Sequence, residues 1–418
     1  MSNINIIGHL SSSSGLGNTA RLFIDVFRGR GYQVSALDVG YHSGTSVKLQ
    51  AELLLHKSIE DLPDGINLII LAVQLLPAVW IWQLPGLLNP RFKNVGLVFW
   101  ELPVVPKAWY PSLQLFDAIM VCSHYVRHAV EIALPTVKTV FAEHPLQLPS
   151  ITDDTSAVRA RIGVKDTDLV VMSSFDLRSD FSRKNPMAVL DAFELAYRGK
   201  PDVKLVIKAN GKPDARTVHP VVQKILSKIA QDSRMVLISD TLPYAQVMAL
   251  YAACDVYISL HRAEGLGLGP MEAMALGKLA IATGYSGNMT YMTQQNSVPL
   301  PYTLTEPRKT AWQFKPSFAG VGAAWADVDM PAAVASLQMT YDNPAKRKQL
   351  AAAGQQDIQR RQETALAAPY LDELTAYFDG YRVPTNRQAL RRKVAFKEVT
   401  DLTLCRLNAA ALWSKFRQ

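Results

Sequence analysis

The chain has 418 residues, more than a single hydrophobic core usually supports, so its length predicts two domains. A hydrophobic content of 49%, a charged content of 19% and a net charge of +8 indicate a globular protein with a large core. Cys122, Cys254 and Cys405 are too few and too far apart for a disulfide framework or a zinc cluster. Widely spaced thiols are typical of a reducing compartment, and Met1 is not followed by a signal-peptide pattern. We therefore expect the protein in the cytoplasm.

Short apolar runs alternate with helical patterns in the first half of the chain, and this alternation predicts a parallel sheet covered by helices. After the first strand, residues 8–18 form a loop of small residues, and a helix is expected from about Thr19 to Gly31. Strands of this half are expected at residues 4–7, 32–37, 66–73, 95–99, 118–121 and 139–142.

The longest apolar stretch, residues 66–88, is long enough to be considered as a transmembrane helix. Pro77 and Pro85 interrupt this stretch, and a spanning helix would also place polar amides in lipid. We therefore expect a buried strand followed by a short helix that carries Trp80 and Trp82.

A cluster of proline, serine and aspartate around residues 144–155 indicates an interdomain linker. The α/β pattern then begins again, with strands expected at residues 169–174, 204–208, 235–238, 256–260 and 279–282 and helices at 185–196 and 220–230. A helix-rich region follows Trp325. The sequence thus predicts a first Rossmann-like domain over residues 1–150, a second over 151–380, and a basic helical tail over 381–418.

The tail carries most of the excess positive charge. From Tyr381 onward there are nine basic and two acidic residues, so the tail contributes +7 of the net charge of +8. Apolar residues such as Trp413 and Phe416 alternate with the basic ones. Such a segment could lie on an anionic bilayer, where each nearby basic residue contributes about 1 kcal/mol. It could also pack its apolar side on the first domain, and the two arrangements are compatible.

The most informative segment lies near the middle of the chain, where a strand over residues 256–260 runs into a glycine-rich turn and then a helix. Glu264 precedes the glycines, and Glu272 follows eight positions later, in about the first turn of the helix. Free backbone N–H groups at a helix start attract phosphate. The turn is therefore expected to bind a phosphate ester with hydroxyls at both ends. Without a ligand, the two glutamates would only stabilise the helix dipole, by about 0.3–1 kcal/mol each.

This segment resembles the retaining glycosyltransferases of family 4, which carry a Glu-x7-Glu motif in the second domain of the GT-B fold. The resemblance runs from Ser259 through Glu272 to Asn288 and points to a bacterial surface-polysaccharide branch. It implies an α/β GT-B fold, in which two Rossmann-like domains with parallel sheets face each other across a cleft. In that fold the first domain, residues 1–150, would bind the acceptor, and the second, residues 151–380, would bind the nucleotide sugar. The resemblance also implies a helical C-terminal extension that returns to the first domain.

The resemblance implies roles for individual residues. Lys184 and Arg183 match a pair that neutralises the donor diphosphate, where fixed cations stabilise the charge that grows on the leaving group. Glu264 matches a glutamate near the transferred sugar, and Glu272 matches one that accepts hydrogen bonds from ribose. Further donor contacts are expected from Lys208 and from the backbone of Gly265, Leu266 and Gly267. In such enzymes the departing phosphate oxygen is thought to take the acceptor proton, so no protein nucleophile is needed.

Gly15 and Gly17 resemble the loop by which the family's first domain reaches the donor diphosphate and sugar. Taken alone, residues 15–20 also fit a dinucleotide fingerprint, and Asp38 lies near the position of a ribose-binding acid. A dehydrogenase would leave the second α/β half unexplained, so the glycosyltransferase interpretation is preferred.

One stretch, residues 98–103, departs from the family pattern, because many members place a histidine beside the donor sugar there. Glu101 is a candidate to replace that histidine or to bind an acceptor hydroxyl. Trp100 and Trp109 are candidates for stacking on a sugar, with core packing as the alternative. His261, just before the turn, is expected to contact a sugar or to be structural.

Two Asp-x-Asp patterns, Asp166 with Asp168 and Asp327 with Asp329, resemble the divalent-cation sites of the other major glycosyltransferase fold. Their positions favour turn or cap residues instead. We therefore predict neither a metal nor any cofactor besides the nucleotide sugar used as co-substrate.

The sequence thus predicts a metal-independent retaining glycosyltransferase that transfers a hexose to a glycan or lipid-linked acceptor in surface-polysaccharide synthesis. Mannose from GDP-mannose is favoured as donor, and uridine donors stay open. The protein is expected in the cytoplasm, with peripheral attachment to the inner face of the plasma membrane through residues 381–418. Two alternatives are a glycosyltransferase acting on nucleic acid, a partner that is not favoured, and a catalytically silent GT-B assembly partner, against which Glu264, Glu272 and Lys184 argue.

Overall fold

A computed structural model of the chain describes residues 3–12, 14–40, 53–176, 181–210, 220–307 and 322–395, together with Leu49. The chain forms two compact units. The first contains Met1–Trp100, Val104–Pro145 and Glu363–Gln418, and the second contains Glu101–Pro103 and Leu146–Gln362. The return to the first unit at Glu363 lies upstream of the boundary expected at residue 380.

The first unit is built on a parallel sheet. In the described part of the chain its seven strands are β1 (Asn3–Gly8), β2 (Gln33–Asp38), β3 (Leu54–His56), β4 (Gly65–Ile70), β5 (Phe92–Leu97), β6 (Ala118–Val121) and β7 (Lys138–Phe141). Their order is β3-β2-β1-β4-β5-β6-β7, so the direction of strand addition reverses between β1 and β4. The short edge strand β3 was not predicted.

The second unit is built on another parallel sheet. Its strands among the described residues are β8 (Leu169–Asp176), β9 (Val203–Asn210), β10 (Met235–Ile238), β11 (Val256–Ser259), β12 (Leu279–Thr283) and β13 (Val298–Leu300). The order is β10-β9-β8-β11-β12-β13, which reverses between β8 and β11. A separate antiparallel pair joins β14 (Tyr302–Thr305) to β15 (Trp325–Val328).

Helices connect the strands. They are α1 (Gly15–Gly29), α2 (Leu76–Ala78), α3 (Tyr110–Leu113), α4 (His124–Ala133), α5 (Thr155–Arg161), α6 (Phe181–Lys184), α7 (Pro186–Ala196), α8 (Pro220–Gln231), α9 (Tyr244–Ala253), α10 (Leu268–Ala275), α11 (Met330–Asp342), α12 (Pro344–Ala367) and α13 (Tyr370–Phe378). Helix α1 begins four residues before the predicted start, because Ser14 caps it by accepting the Gly17 N–H over 3.2 Å.

The apolar stretch at residues 66–88 is a buried strand followed by short helical turns. Strand β4 ends at Ile70, and the turns that follow include a π-helix over Val79–Gln83. Trp80 is fully buried, whereas Trp82 is 55% exposed. Within the described residues, no helix is both long and apolar enough to cross a bilayer.

A row of buried asparagines crosses the first sheet. Asn5, Asn67 and Asn94 are neighbours in register on β1, β4 and β5, and each side chain bonds the next over 2.8 Å. The backbone N–H of Asn94 donates to Asp117, which forms an ion pair with Arg387. Since buried polar groups are costly unless hydrogen-bonded, this network holds the C-terminal return on the sheet.

Part of the basic tail is bound within the first unit. Arg387 is 4% exposed and donates to the carbonyl of Phe92 over 3.2 Å as well as to Asp117. Arg391 donates to the carbonyls of Trp80 and Ile81. Both cations belong to the positive charge that predicts a membrane-facing tail. In the structure they hydrogen-bond to acceptors within the first unit instead. The rest of the predicted tail, residues 396–418, lies outside the described residues.

Candidate active site

The predicted cations and the first predicted carboxylate lie at the carboxyl ends of β8 and β11. These two strands flank the reversal of strand order in the second sheet, which is where open α/β sheets bind ligands. Arg183 and Lys184 end the short helix α6 after β8, and Glu264 lies in the turn after β11. The strand-to-helix turn predicted around the glycines is confirmed.

Glu264 is held as an anion between two cations. Lys184 Nζ donates to its Oε1 over 2.5 Å, and an Arg183 nitrogen lies 3.3 Å from its Oε2. Burial by itself would raise the pKa of Glu264, but the charges of Lys184 and Arg183 outweigh burial and lower that pKa to about 2. The carboxylate therefore stays ionised at any physiological pH.

The two cations differ in what else they contact. The Arg183 side chain is 9% exposed, donates to the Ala263 carbonyl over 2.8 Å and lies 3.6 Å from Glu101 Oε1. The Lys184 side chain is 25% exposed. Arg183 is thus a clamp on the turn and on Glu101, whereas Lys184 is the cation of this pair with more access to a ligand. Lys208 is buried near the end of β9, and its ammonium donates to the Ala209 carbonyl.

The glycine-rich turn packs tightly on the segment that follows β12. A Cβ on Gly287 would lie 2.2 Å from the Gly265 carbonyl oxygen, and the backbone N–H of Glu264 donates to Ser286 Oγ over 2.8 Å. Gly267 has a φ of +87°, which favours glycine, and it precedes α10. Gly265, Leu266 and Gly267 are themselves buried, so the more accessible backbone of the turn is that of residues 268–269.

The start of α10 is a candidate site for an anion. Gly267 occupies the N-cap position and has no side chain to cap the first N–H groups of the helix, which are those of Leu268 and Gly269 because Pro270 has none. A helix start leaves those groups without intrahelical partners and gives them a partial positive charge. A phosphate placed there would be stabilised by both effects.

His261, just before the turn, is held by buried hydrogen bonds. His261 is fully buried, and its ring nitrogens lie 3.0 Å from Ser259 Oγ and 3.1 Å from Asn288 Oδ1. Burial lowers the pKa of His261, which favours a neutral ring. Of the two roles expected for His261, the structure favours the structural one.

Arg262 joins the turn to two other segments. Its guanidinium donates to the Ser182 carbonyl, just before the cation pair, and to Asp327 of β15. Its backbone N–H donates to the Arg183 carbonyl over 2.7 Å. The sequence predicts a turn or cap role for Asp327, but this residue lies in β15 and forms an ion pair with Arg262. Asp329 does cap a helix, since it accepts from the Ala332 N–H.

Glu272 has a different environment from Glu264. It lies in the second turn of α10, one turn later than expected, because the helix begins at Leu268. The hydroxyl of Tyr244 donates to Glu272 Oε1 over 2.9 Å. Burial raises the pKa of Glu272 to about 7, and the bond from Tyr244 opposes that rise. One carboxylate of the motif is thus a fixed anion, and the other changes charge near neutral pH.

The predicted glycines belong to the first unit, after β1, at the reversal of that sheet. Gly15 is exposed and begins α1. A Cβ on Gly17 would lie 2.4 Å from the Ser12 carbonyl oxygen, so the loop itself requires glycine there. Asp38 accepts from the N–H groups of Leu10 and Ser11, which explains this acid without a dinucleotide.

Residues 98–103, which depart from the family pattern, divide between the two units. Glu101 contacts Arg183 in the second unit, and burial raises its pKa although the Arg183 charge opposes that rise. Trp100 belongs to the first unit, is 3% exposed and packs edge-to-face on Trp109 at 4.6 Å between ring centroids. Both indoles are core residues in this structure, so the core-packing alternative is favoured for them.

Sequence reasoning missed several residues of the site. Tyr244 precedes Glu272 by 28 positions, and no local pattern joins the two. Ser286 and Gly287 were within the family resemblance but received no role there. Within the described residues, no group of three or more metal-binding side chains occurs.

Residues 157–298, which contain the cation pair and both glutamates, match the family described as "Glycosyl transferases group 1". No curated protein sequence matches the chain.

Solved structures share the fold at low sequence identity. HepE from Anabaena, in complex with UDP and glucose, has a TM-score of 0.61 and 13% identity, covering 91% of this chain and 100% of that one. Sucrose-phosphate synthase from Thermosynechococcus elongatus has a TM-score of 0.60 and 14% identity, covering 90% and 98%. OtsA has a TM-score of 0.61 and 11% identity, covering 89% and 99%. The chain therefore has the α/β GT-B fold, with helices at its C-terminal end.

Proposed function

We propose that this protein is a retaining glycosyltransferase that moves a hexose from a nucleoside diphosphate sugar to a glycan or lipid-linked acceptor. The observation that carries the proposal is the Lys184–Glu264 ion pair, in the turn that leads to the uncapped start of α10. It lies within the segment that matches the group 1 glycosyl transferases. The fold shared with HepE, which is solved with UDP and glucose, supports a nucleotide-sugar donor.

The residues at the turn have distinct tasks in this proposal. The donor diphosphate binds at the helix start and draws Lys184 from Glu264, so the lysine neutralises the charge that grows on the leaving group. Glu264 stays anionic near the transferred sugar, and Glu272 accepts hydrogen bonds from the ribose. Arg183 keeps Glu264 and Glu101 in place. The acceptor hydroxyl attacks the anomeric carbon from the face that the diphosphate leaves, and the departing phosphate oxygen takes the hydroxyl proton. The new glycosidic bond therefore keeps the anomeric configuration without a protein nucleophile.

The acceptor is proposed to be a glycan or lipid-linked intermediate of surface-polysaccharide synthesis at an anionic membrane face. Supporting this are the exposed basic side chains of the described tail, Arg382, Arg392 and Lys393. Exposed Trp82 lies in the same turn as Ile81, whose carbonyl accepts from Arg391. Aromatic and basic side chains together suit a membrane interface.

Calorimetric binding of GDP, UDP, GDP-mannose and UDP-glucose, with and without EDTA, tests the donor. The sequence resemblance favours GDP-mannose, whereas UDP-glucose and UDP occur in the solved HepE complexes. Tight binding of one nucleotide family that EDTA does not change supports a metal-independent transferase. If none of the four binds and Lys184→Ala changes nothing, the catalytic proposal fails.

A further inference from the structure

Tyr244 contacts the second carboxylate of the motif from outside the motif. It is the first residue of α9, and its hydroxyl donates to Glu272 Oε1 over 2.9 Å. Both side chains are half-buried, so solvent or a ligand can reach the pair. Among the described residues, the second oxygen of Glu272 has no hydrogen-bond partner.

We propose that Tyr244 is a positioning residue that fixes the Glu272 carboxylate to receive the two adjacent hydroxyls of a ribose. This inference rests on the proposed function, in which Glu272 is the ribose acceptor. A carboxylate can accept about four hydrogen bonds, so the bond from Tyr244 leaves capacity on both oxygens. By holding Oε1, the phenol restricts the rotamers of Glu272 before the ligand arrives, which lowers the entropy lost on binding.

Tyr244 also influences the pKa of Glu272, because of the groups that surround this carboxylate. Among the described residues, the titratable groups that face this carboxylate are tyrosines: Tyr244 and Tyr251 of α9, Tyr257 of β11, and Tyr291. Gly269, in the first turn of α10, fits against them, because a Cβ there would lie 2.2 Å from the Tyr257 hydroxyl. With no cation beside it in the described part of the chain, Glu272 depends on the Tyr244 hydroxyl to favour its ionised form.

Two consequences follow for ligand binding. A diol donates to an ionised carboxylate, so the affinity for a ribonucleotide rises as pH increases through the pKa of Glu272, which is about 7. Removing the Tyr244 hydroxyl raises that pKa and moves the midpoint to higher pH. Much of the lost affinity then returns in alkaline solution, which a merely structural role would not produce.

Calorimetry with Tyr244→Phe tests the inference. The probes are the nucleoside diphosphate that the wild-type protein binds and its 2′,3′-dideoxy counterpart, from pH 6 to 9. We expect Tyr244→Phe to weaken ribonucleotide binding about 3- to 10-fold at pH 7, the range of one hydrogen bond to a partly charged group. The dideoxy ligand should bind the two proteins equally, and the midpoint should move upward.

Two further variants complete the design. Tyr251→Phe removes a hydroxyl from the same helix, one that bonds Ser174 over 2.7 Å, and should keep the wild-type midpoint. Glu272→Gln should abolish the pH dependence and the preference for ribose.

The outcomes separate this inference from the function on which it rests. Equal binding by Tyr244→Phe and wild type, or equal losses for both ligands, would overturn the positioning role alone. If the wild-type protein binds no nucleoside diphosphate, the proposed function falls and this inference falls with it.

Discussion

Lys184 and Glu264 are 80 positions apart in the sequence, yet the lysine ammonium lies 2.5 Å from the glutamate carboxylate. One residue follows β8 and the other follows β11, and these strands are neighbours in the second sheet. The pair keeps a cation beside the Glu264 turn before any ligand binds. A diphosphate that replaces Glu264 as the partner of Lys184 would meet a cation that is already in position.

Glu264→Gln tests whether this anion is needed for transfer. The substitution keeps the side-chain volume but removes the charge between Lys184 and Arg183. We expect transfer to fall by about 100-fold or more, the scale of removing one preorganised electrostatic group, while the fold is retained. Initial rates and thermal melts measure the two effects. Glu131→Gln, which removes an exposed ion pair with Arg127, is the matched control, and full activity of Glu264→Gln would refute the mechanism.

Gly287→Ala tests the packing beneath the turn. The added methyl would lie 2.2 Å from the Gly265 carbonyl oxygen, so backbone must move. We expect a loss of stability of about 1–3 kcal/mol, typical of overpacking, and a larger loss of activity because the Glu264 turn is displaced. Gly29→Ala is the control, since a Cβ there meets nothing within 4 Å. Wild-type rates for Gly287→Ala would show that the turn tolerates the shift.

A double-mutant cycle on Arg262 and Asp327 tests whether this pair positions the cation loop. Arg262→Gln removes the bonds to Asp327 and to the Ser182 carbonyl, which should loosen Lys184 from Glu264. The pKa of Glu264 then rises from about 2, so the acidic limb of the rate profile moves to higher pH.

We expect a coupling energy of about 0.5–3 kcal/mol in kcat/KM, since contacting residues couple by that amount. The exposed pair Arg161 and Asp153 supplies a control cycle with little coupling. Additive effects at Arg262 and Asp327, with an unmoved acidic limb, would argue against positioning.

Glu272 should make the stability of the protein fall as pH rises. Its pKa is about 7 in the folded chain, whereas an unfolded glutamate has a pKa of about 4.3. Between these values the folded chain keeps a proton that the unfolded chain has lost, so stability decreases with pH across the window. Glu272→Gln removes this dependence.

Melting temperatures of Glu272→Gln and wild type from pH 5 to 8 measure the effect. The difference, variant minus wild type, should grow with pH by a few degrees, since about 1 kcal/mol shifts the melting temperature by about 2–4 °C in larger domains. A difference that is constant with pH would mean that Glu272 ionises at an ordinary pKa.

The basic residues of the tail should divide into two classes. Arg387→Ala leaves the buried Asp117 carboxylate unpaired, which should cost about 3–5 kcal/mol of stability in denaturant unfolding. Combined substitution of the exposed Arg382, Arg392 and Lys393 by glutamine should leave stability unchanged.

The triple variant should also weaken binding to anionic vesicles, by about 1 kcal/mol for each charge that is close to the surface. Sedimentation with vesicles of increasing anionic-lipid content, compared with neutral vesicles, provides the measurement. Unchanged vesicle binding by the triple variant would exclude these three cations from a membrane contact.

The sequence by itself determined the local elements around the site. Strand β11, the glycine-rich turn and α10 follow from an apolar run, from glycines that permit a φ of +87° at Gly267, and from helical propensity. The repeated α/β pattern predicted both sheets, because parallel strands buried on both sides need continuous apolar runs. The differences at this level were the late start predicted for α1 and the unpredicted edge strands β3 and β13.

Only the tertiary structure decided which side chains meet. Arg183 became a clamp on Ala263 and Glu264, and Arg387 paired with Asp117 inside the first unit. Tyr244 reached Glu272 because α9 and α10 pack together in the second unit. Periodicity reports which face of an element is buried, but it carries no information about which distant polar group shares that burial. In a low-dielectric interior that partner sets the charge state and the pKa, so the chemistry of these residues is a property of the fold.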